Sequence, residues 1–393
     1  MTEKTVTVGA QRLSDGAAWI AGEASGDYLA SLVLPRLAEV MGGAPQFGVG
    51  GPKMAAAGLD AWYSSETLAV RGYVEVIKKL PGILALRRNM IQRVSQARPR
   101  VFIGVDAPDF NLGVEMKLKA RGIPTVHFVS PSIWAWRPER IWTVRDATDV
   151  VLLIFPFEEE IYRKAGVPAV YIGHPLAGII PMTPDPAAAR ADLGLKVEGE
   201  PLIAVLPGSR VDEVSGCGPV FFEACERLVK RLGGAGRFVL PAVDAARGEQ
   251  IMAVARKYPV FFERLTIVAG RSHRVLESAD AVLVASGTAA LEAALYKKPM
   301  VVGYKMPALT AWLMRRKGTI SYVSLPNILA QRPIVPEFLQ YFCTPDAIAA
   351  SLIEQLKDSR REELREIFTR MHESLLRPTA ELACEAIEKV LRV

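Results

Sequence analysis

Ala281-Val-Leu-Val-Ala-Ser286-Gly287-Thr288-Ala289-Ala290-Leu291-Glu292 is the stretch that decides the fold. An unbroken apolar run gives way to small residues and then to a helix-forming run. A strand of that kind, followed at once by a tight turn and a helix, belongs in a parallel sheet covered on both faces. The turn also leaves helix N-terminal amides without intrahelical partners. Those amides, together with the helix dipole, favour a phosphate, and the Thr288 hydroxyl is a further donor. Glu292 lies about one turn into the helix, where it reaches ribose hydroxyls or faces solvent.

The same unit recurs on both sides. Apolar runs at 202–206, 237–240, 266–268 and 300–302 accompany 281–284, and an earlier set lies at 17–21, 47–49, 101–105, 125–129 and 149–153. Helical segments separate them, which predicts two doubly wound parallel-sheet domains of the Rossmann type. A chain of 393 residues exceeds what one hydrophobic core usually supports, in agreement with two domains. The restart falls after a proline-rich stretch, and Pro175–Pro186 reads as an irregular linker with a cleft beside it. The expected division is an N-terminal domain over 1–175, a linker over 176–186, a second domain over 187–360, and C-terminal helices over 361–393 that wrap back across the domains.

Composition excludes several classes. Half the residues are hydrophobic and 23% are charged, ordinary values for a fully folded chain. The net charge of +6 favours anionic partners, but no Lys/Arg tract or recognition motif points to nucleic acid. Cys217, Cys225, Cys343 and Cys384 show neither CxxC spacing nor partnering histidines, so no zinc site or disulfide framework is expected. Residues 1–10 lack the apolar core of a secretory signal, and the prolines within 165–184 break the longest charge-free stretch, so no spanning segment is expected.

Candidate site residues lie at predicted strand ends. Leu202–Leu206 runs into Pro207-Gly208-Ser209-Arg210, where Gly208 and Ser209 permit close backbone approach and Arg210 supplies a fork of donors for phosphate oxygens. In the first half, Val101–Val105 runs into Asp106-Ala107-Pro108-Asp109-Phe110-Asn111. Asp106 is there the candidate general base, and Asp109 the better candidate for capping the next helix. Gly22-Glu23-Ala24-Ser25-Gly26-Asp27 forms a small-residue loop before a helix. It lacks the three-glycine dinucleotide pattern, which disfavours a nicotinamide cofactor. Ser130-Pro-Ser-Ile-Trp134-Ala-Trp136-Arg137 places two tryptophans and an arginine after a strand, either as a sugar or acyl contact or as core anchors. Two amphipathic segments, Val74–Arg88 and Met306–Lys317, mix aliphatic and basic side chains in the manner of a membrane-surface helix, although core packing explains either one alone.

Taken together, these residues closely resemble the lipid A disaccharide synthase family over nearly the whole chain. The motifs that carry the likeness are Gly22–Asp27, Gly104–Asn111, Ser130–Arg137, Ile172-Gly-His174, Leu206–Arg210, Ser286–Glu292 and Tyr322-Val-Ser-Leu-Pro-Asn327. The resemblance implies the two-domain GT-B glycosyltransferase fold. It also implies transfer of 2,3-diacylglucosamine from its UDP derivative to 2,3-diacylglucosamine 1-phosphate, giving a β-1,6-linked disaccharide and UDP in lipid A and lipopolysaccharide biosynthesis. It assigns Asp106 as base, and Gly208, Ser209, Arg210, Ser286, Gly287, Thr288, Glu292 and Asn327 to the UDP donor. Glu23, Ser25, Asp27, Trp136 and Arg137 fall to the acceptor side or the loops of the N-terminal domain. No metal or cofactor is implied, no DxD motif is present, and the expected location is the cytoplasmic face of a Gram-negative inner membrane, with a homodimer left open. The chain departs from the family pattern in a longer, more polar approach to the first strand, Thr5–Gly16, and in Glu23-Ala24 where the family often has Glu-Thr. The rival readings are a UDP-sugar 2-epimerase of related architecture and an inert lipid-binding scaffold.

Overall fold

A computed structural model describes residues 15–68, 73–195, 199–306 and 322–392. The chain divides into two compact units, one formed by Met1–Pro175 with Arg377–Val393 and the other by Leu176–Leu376.

The first unit holds β1 (Ala17–Ala21), α1 (Ala24–Val40), β2 (Gln46–Gly50), α2 (Pro52–Ala56), β3 (Leu59–Ser64), α3 (Tyr73–Ala97), β4 (Val101–Val105) and α4 (Pro108–Lys119). It continues through β5 (Thr125–Phe128), α5 (Arg140–Ala147), β6 (Val150–Leu153), α6 (Glu158–Lys164) and β7 (Ala169–Tyr171). Its strands order as β3-β2-β1-β4-β5-β6-β7, every pair parallel. All residues of β1 and β4 are buried, as strands with helices on both faces must be. The last helix, Thr379–Leu391, packs on α1 and β6.

The second unit begins within α7 (Pro175–Ile179) and α8 (Pro186–Asp192). It then alternates β8 (Leu202–Leu206), α9 (Val211–Arg231), β9 (Arg237–Ala242), α10 (Ala245–Ala255), α11 (Pro259–Phe262), β10 (Leu265–Ala269), α12 (Ser272–Ser278), β11 (Ala281–Ala285), α13 (Thr288–Leu295), β12 (Met300–Tyr304) and β13 (Glu337–Leu339). Its order is β10-β9-β8-β11-β12-β13, again all parallel. Helix α9 buries Val214, Cys217, Phe221, Cys225 and Leu228, a three-to-four-residue spacing that puts one apolar stripe on the sheet. Each such side chain fully buried contributes about 1.5–3 kcal/mol. The helix Asp358–Leu375 packs on α13.

The stretch Pro175–Pro186 is not irregular throughout. Pro175 opens α7 and Pro186 opens α8, where Asp185 caps by accepting the Ala188 amide at 2.9 Å. Proline is suited to the first helical turn, because the N–H it lacks has no partner there. Val129, read as a strand residue, instead leaves the sheet at φ 74°. Among the described residues no helix is long and apolar enough to cross a membrane. Of the two amphipathic segments, residues 307–317 and the side chains of 74–80 lie outside the described residues.

Candidate active site

In the first unit the strand order reverses between β1 and β4, and at such a switch point the following loops diverge and leave room for a ligand. Ala21 pairs with Val105, so Gly22 and Asp106 leave the sheet side by side. A Cβ on Gly22 would sit 3.3 Å from Cβ of Ala107, and one on Gly26 would sit 3.4 Å from Val105, so α1 begins packed over the end of β4.

Asp106 and Ala107 both adopt left-handed backbone, at φ 52° and 43°. L residues there are strained, and such strain persists only where surrounding bonds enforce it. The Asp106 amide donates to the Phe128 carbonyl at 2.9 Å, and Asn111 Nδ2 donates to the Asp106 carbonyl at 2.8 Å. The same amide group of Asn111 also lies 3.2 Å from the Val105 carbonyl and 3.3 Å from that of Ile20, tying the two strand ends together. The half-buried Asp106 carboxylate makes no hydrogen bond or ion pair to the described residues.

Beneath this turn lies a pair that sequence reading missed. Glu115 of α4 and His127 of β5 are both fully buried, with Oε1 2.7 Å from Nδ1. Burial pushes the Glu115 carboxyl up, and His127 opposes that shift. Gly104 makes room for the pair, since a Cβ there would stand 2.1 Å from Glu115 Oε1.

The other first-unit candidates divide. Asp27 is buried and turned to α2, whose start it caps by accepting the amides of Gly51 at 2.7 Å, Lys53 at 3.1 Å and Met54 at 3.0 Å. Glu23 and Ser25 are exposed at the start of α1. Asp109 does not cap α4. It lies in the first turn, paired with Arg140 and with Arg137 at 3.9 Å, while Ala107 holds the cap position. Arg137 is exposed and approaches the half-buried Trp136 ring at 5.7 Å.

Two further strand ends furnish polar groups on the same sheet edge. Glu158, at the start of α6, is 1% exposed, and burial raises its carboxyl from the ordinary 4.5 to about 7. His174, after β7, is buried and pushed down to about 4.

In the second unit the switch point lies between β8 and β11, where Leu206 pairs with Val284. Gly208 has φ 121°, and a Cβ there would collide with Glu213 at 2.4 Å. The Glu213 carboxylate accepts the amides of Ser209 at 2.9 Å and Arg210 at 3.2 Å. These two amides are therefore engaged by the protein itself, so the open donor of this turn is the Arg210 guanidinium. That group is 64% exposed and 3.8 Å from Glu213.

Across the switch point, Gly287 precedes α13 with open space around it and no side-chain cap on the helix. Thr288 is exposed beside it, so the α13 amides and this hydroxyl remain available to an anion. The Ser286 hydroxyl is committed to the Val323 carbonyl at 3.0 Å. Glu292 is largely buried, which raises its carboxyl. His273 of α12, also missed in the sequence, stands 3.8 Å away and opposes the shift.

Asn327 is buried and fully used: Nδ2 donates to Val335 at 2.8 Å and Glu337 at 2.7 Å, and Oδ1 accepts the amides of Ile334 and Val335. Glu337 also accepts the Val323 and Ser324 amides. Asn327 therefore shapes the loop that reaches Ser286, with no donor or acceptor spare for a ligand.

Comparison with known proteins identifies the family and the fold. Residues 17–391 match the family model described as lipid-A-disaccharide synthetase. The chain is 52% identical over 377 residues to the lipid-A-disaccharide synthase of Cupriavidus pinatubonensis, covering 95% of this chain and 93% of that one. It is 50% identical over 376 residues to that of Paraburkholderia phymatum, covering 95% and 96%. Among solved structures it resembles the Staphylococcus aureus MnaA–UDP co-structure, with TM-score 0.64, 13% identity and 96% of each chain covered. It likewise resembles the calicheamicin glycosyltransferase, with TM-score 0.61, 14% identity and coverage of 96% and 98%. At those identities the solved structures establish the shared two-domain GT-B fold alone. The sequence relationships go further, and the chain belongs to the lipid-A-disaccharide synthetase family.

Proposed function

We propose that this glycosyltransferase condenses UDP-2,3-diacylglucosamine with 2,3-diacylglucosamine 1-phosphate to the β-1,6-linked disaccharide 1-phosphate, releasing UDP. The observation that carries the reading is the Asp106 carboxylate, unbonded among the described residues at the switch point of a chain whose family is that of lipid A disaccharide synthesis. The acceptor 6-hydroxyl attacks the anomeric carbon of the donor. Its proton passes to Asp106, and the bond to the diphosphate breaks with the electron pair leaving on UDP. Arg210 and the α13 amides meet the charge that develops on the leaving diphosphate. Glu292 serves the ribose, and Trp136 with Arg137 the acceptor sugar and its phosphate. Because both substrates are diacylated, the enzyme works at the cytoplasmic face of the inner membrane as a peripheral protein.

The rival reading of the same fold is a UDP-sugar 2-epimerase of related architecture. The family match favours transfer over epimerisation. For Asp106→Asn, turnover should fall roughly 10²–10⁴-fold while UDP-donor binding, followed by titration calorimetry, stays near wild type. Turnover within a few fold of wild type would remove Asp106 from the role of base.

A further inference from the structure

The loop between β5 and α5 is fastened from both sides by side chains outside it. On one side Asp109 of α4 takes Arg140 and approaches Arg137. On the other, Trp134 Nε1 donates to Glu158 Oε1 at 3.1 Å, and the indole meets the Phe157 ring edge-on at 5.3 Å. The second Glu158 oxygen accepts the Phe155 amide at 3.2 Å. Ser130, at the start of the loop, bonds Tyr162 of α6 at 2.8 Å.

Glu158 is an unusual choice for this place. It is 1% exposed, and no cation lies within ion-pair distance among the described residues. An uncompensated buried carboxylate is costly. What the carboxylate offers is an acceptor on each oxygen: Oε1 takes the indole N–H and Oε2 the Phe155 N–H, with the Ser130 hydroxyl and the Ile154 amide also favouring its charged form. Glutamine has the same shape but would turn an NH2 group toward one of those donors. The residue is therefore chosen for holding Trp134 and the β6–α6 turn together, two residues along the loop from Trp136.

We propose that Glu158 is a positioning residue for the acceptor: by accepting the Trp134 indole and the Phe155 amide together, it holds the loop so that Trp136 and Arg137 meet the acceptor sugar phosphate. This rests on the reading of that loop as the acceptor contact.

Steady-state kinetics with each substrate varied in turn tests the proposal. Glu158→Gln and Trp134→Phe, which keeps a ring but removes the donor, should each raise the acceptor KM about tenfold, the loss of one buried hydrogen bond. Donor KM and kcat should stay within about threefold, since binding held equally in ground and transition states shows in KM alone. In the double variant the two effects should combine less than multiplicatively, because both variants act on the Glu158–Trp134 contact. Acceptor KM unchanged in Trp134→Phe, or donor and acceptor KM raised alike, overturns the proposal. Should Glu158→Gln fail to fold, Trp134→Phe decides alone. Trp136→Ala separates the two claims. If it leaves acceptor KM unchanged, the reading of the loop itself fails. If it raises acceptor KM while Glu158→Gln and Trp134→Phe do not, the loop reading stands and the role of Glu158 falls.

Discussion

Asp106 and Ala107 show how the backbone sets the place of a single side chain. Two consecutive left-handed residues place the Asp106 carboxylate at the sheet edge, held by Asn111 and Phe128. Support extends one layer down to Gly104, over which Glu115 reaches His127. Gly104→Ala drives a Cβ into the Glu115 carboxylate, and we expect a loss of about 3 kcal/mol or more in urea unfolding, from overpacking and a disrupted buried pair. Glu158 gives a pH signature of definite sign. Its folded value is raised from 4.5 to about 7, so between those values the folded protein binds a proton that the unfolded chain does not. Its contribution to stability is fully present below pH 4.5 and is lost as pH rises through about 7. Thermal unfolding of wild type and Glu158→Gln should therefore differ by a curve that declines across this window, and a flat difference would contradict the shift. His174, lowered to about 4, has the opposite sign and acts equally in both proteins.

At the scale of elements, the legible parts were those whose information is contiguous. Central strands such as β8 and β11 are unbroken apolar runs because both faces are covered, and the turns after them read directly as Gly208-Ser209-Arg210 and Ser286-Gly287-Thr288. Three of the four edge strands were missed, β10 alone having been read at 266–268. In β3 the residues Leu59–Ser64 mix exposed and buried positions, while β7 and β13 have three residues each, half-buried throughout. The Glu115–His127, Glu158–Trp134 and His273–Glu292 contacts escaped for another reason, since their partners lie 12 to 24 residues apart and meet only through the fold. So did the use of Asn327 as a loop brace and the claim of Glu213 on the Ser209 and Arg210 amides. That claim sharpens a prediction about α9. With those amides engaged, we propose that the guanidinium carries the diphosphate contact of this turn, and Arg210→Ala should then raise donor KM roughly 10- to 100-fold, the range of one or two charge-assisted hydrogen bonds. Acceptor KM should not move. An unchanged donor KM would transfer the diphosphate contact wholly to α13.

For the whole molecule, two units each repeat the same logic: a parallel sheet, a switch point at its centre, and candidate site residues on the loops beyond it. One edge carries a carboxylate suited to receive a proton, the other an arginine and an open helix start suited to a departing diphosphate. That division of labour is the central claim. Its most direct test is to incubate the purified protein with UDP-2,3-diacylglucosamine and 2,3-diacylglucosamine 1-phosphate and to follow products by mass spectrometry. Disaccharide 1-phosphate and UDP should appear in equal amounts, only when both substrates are present, and should be nearly lost with Asp106→Asn. A donor altered at its sugar without any acceptor, or no disaccharide from the two together, would contradict the account.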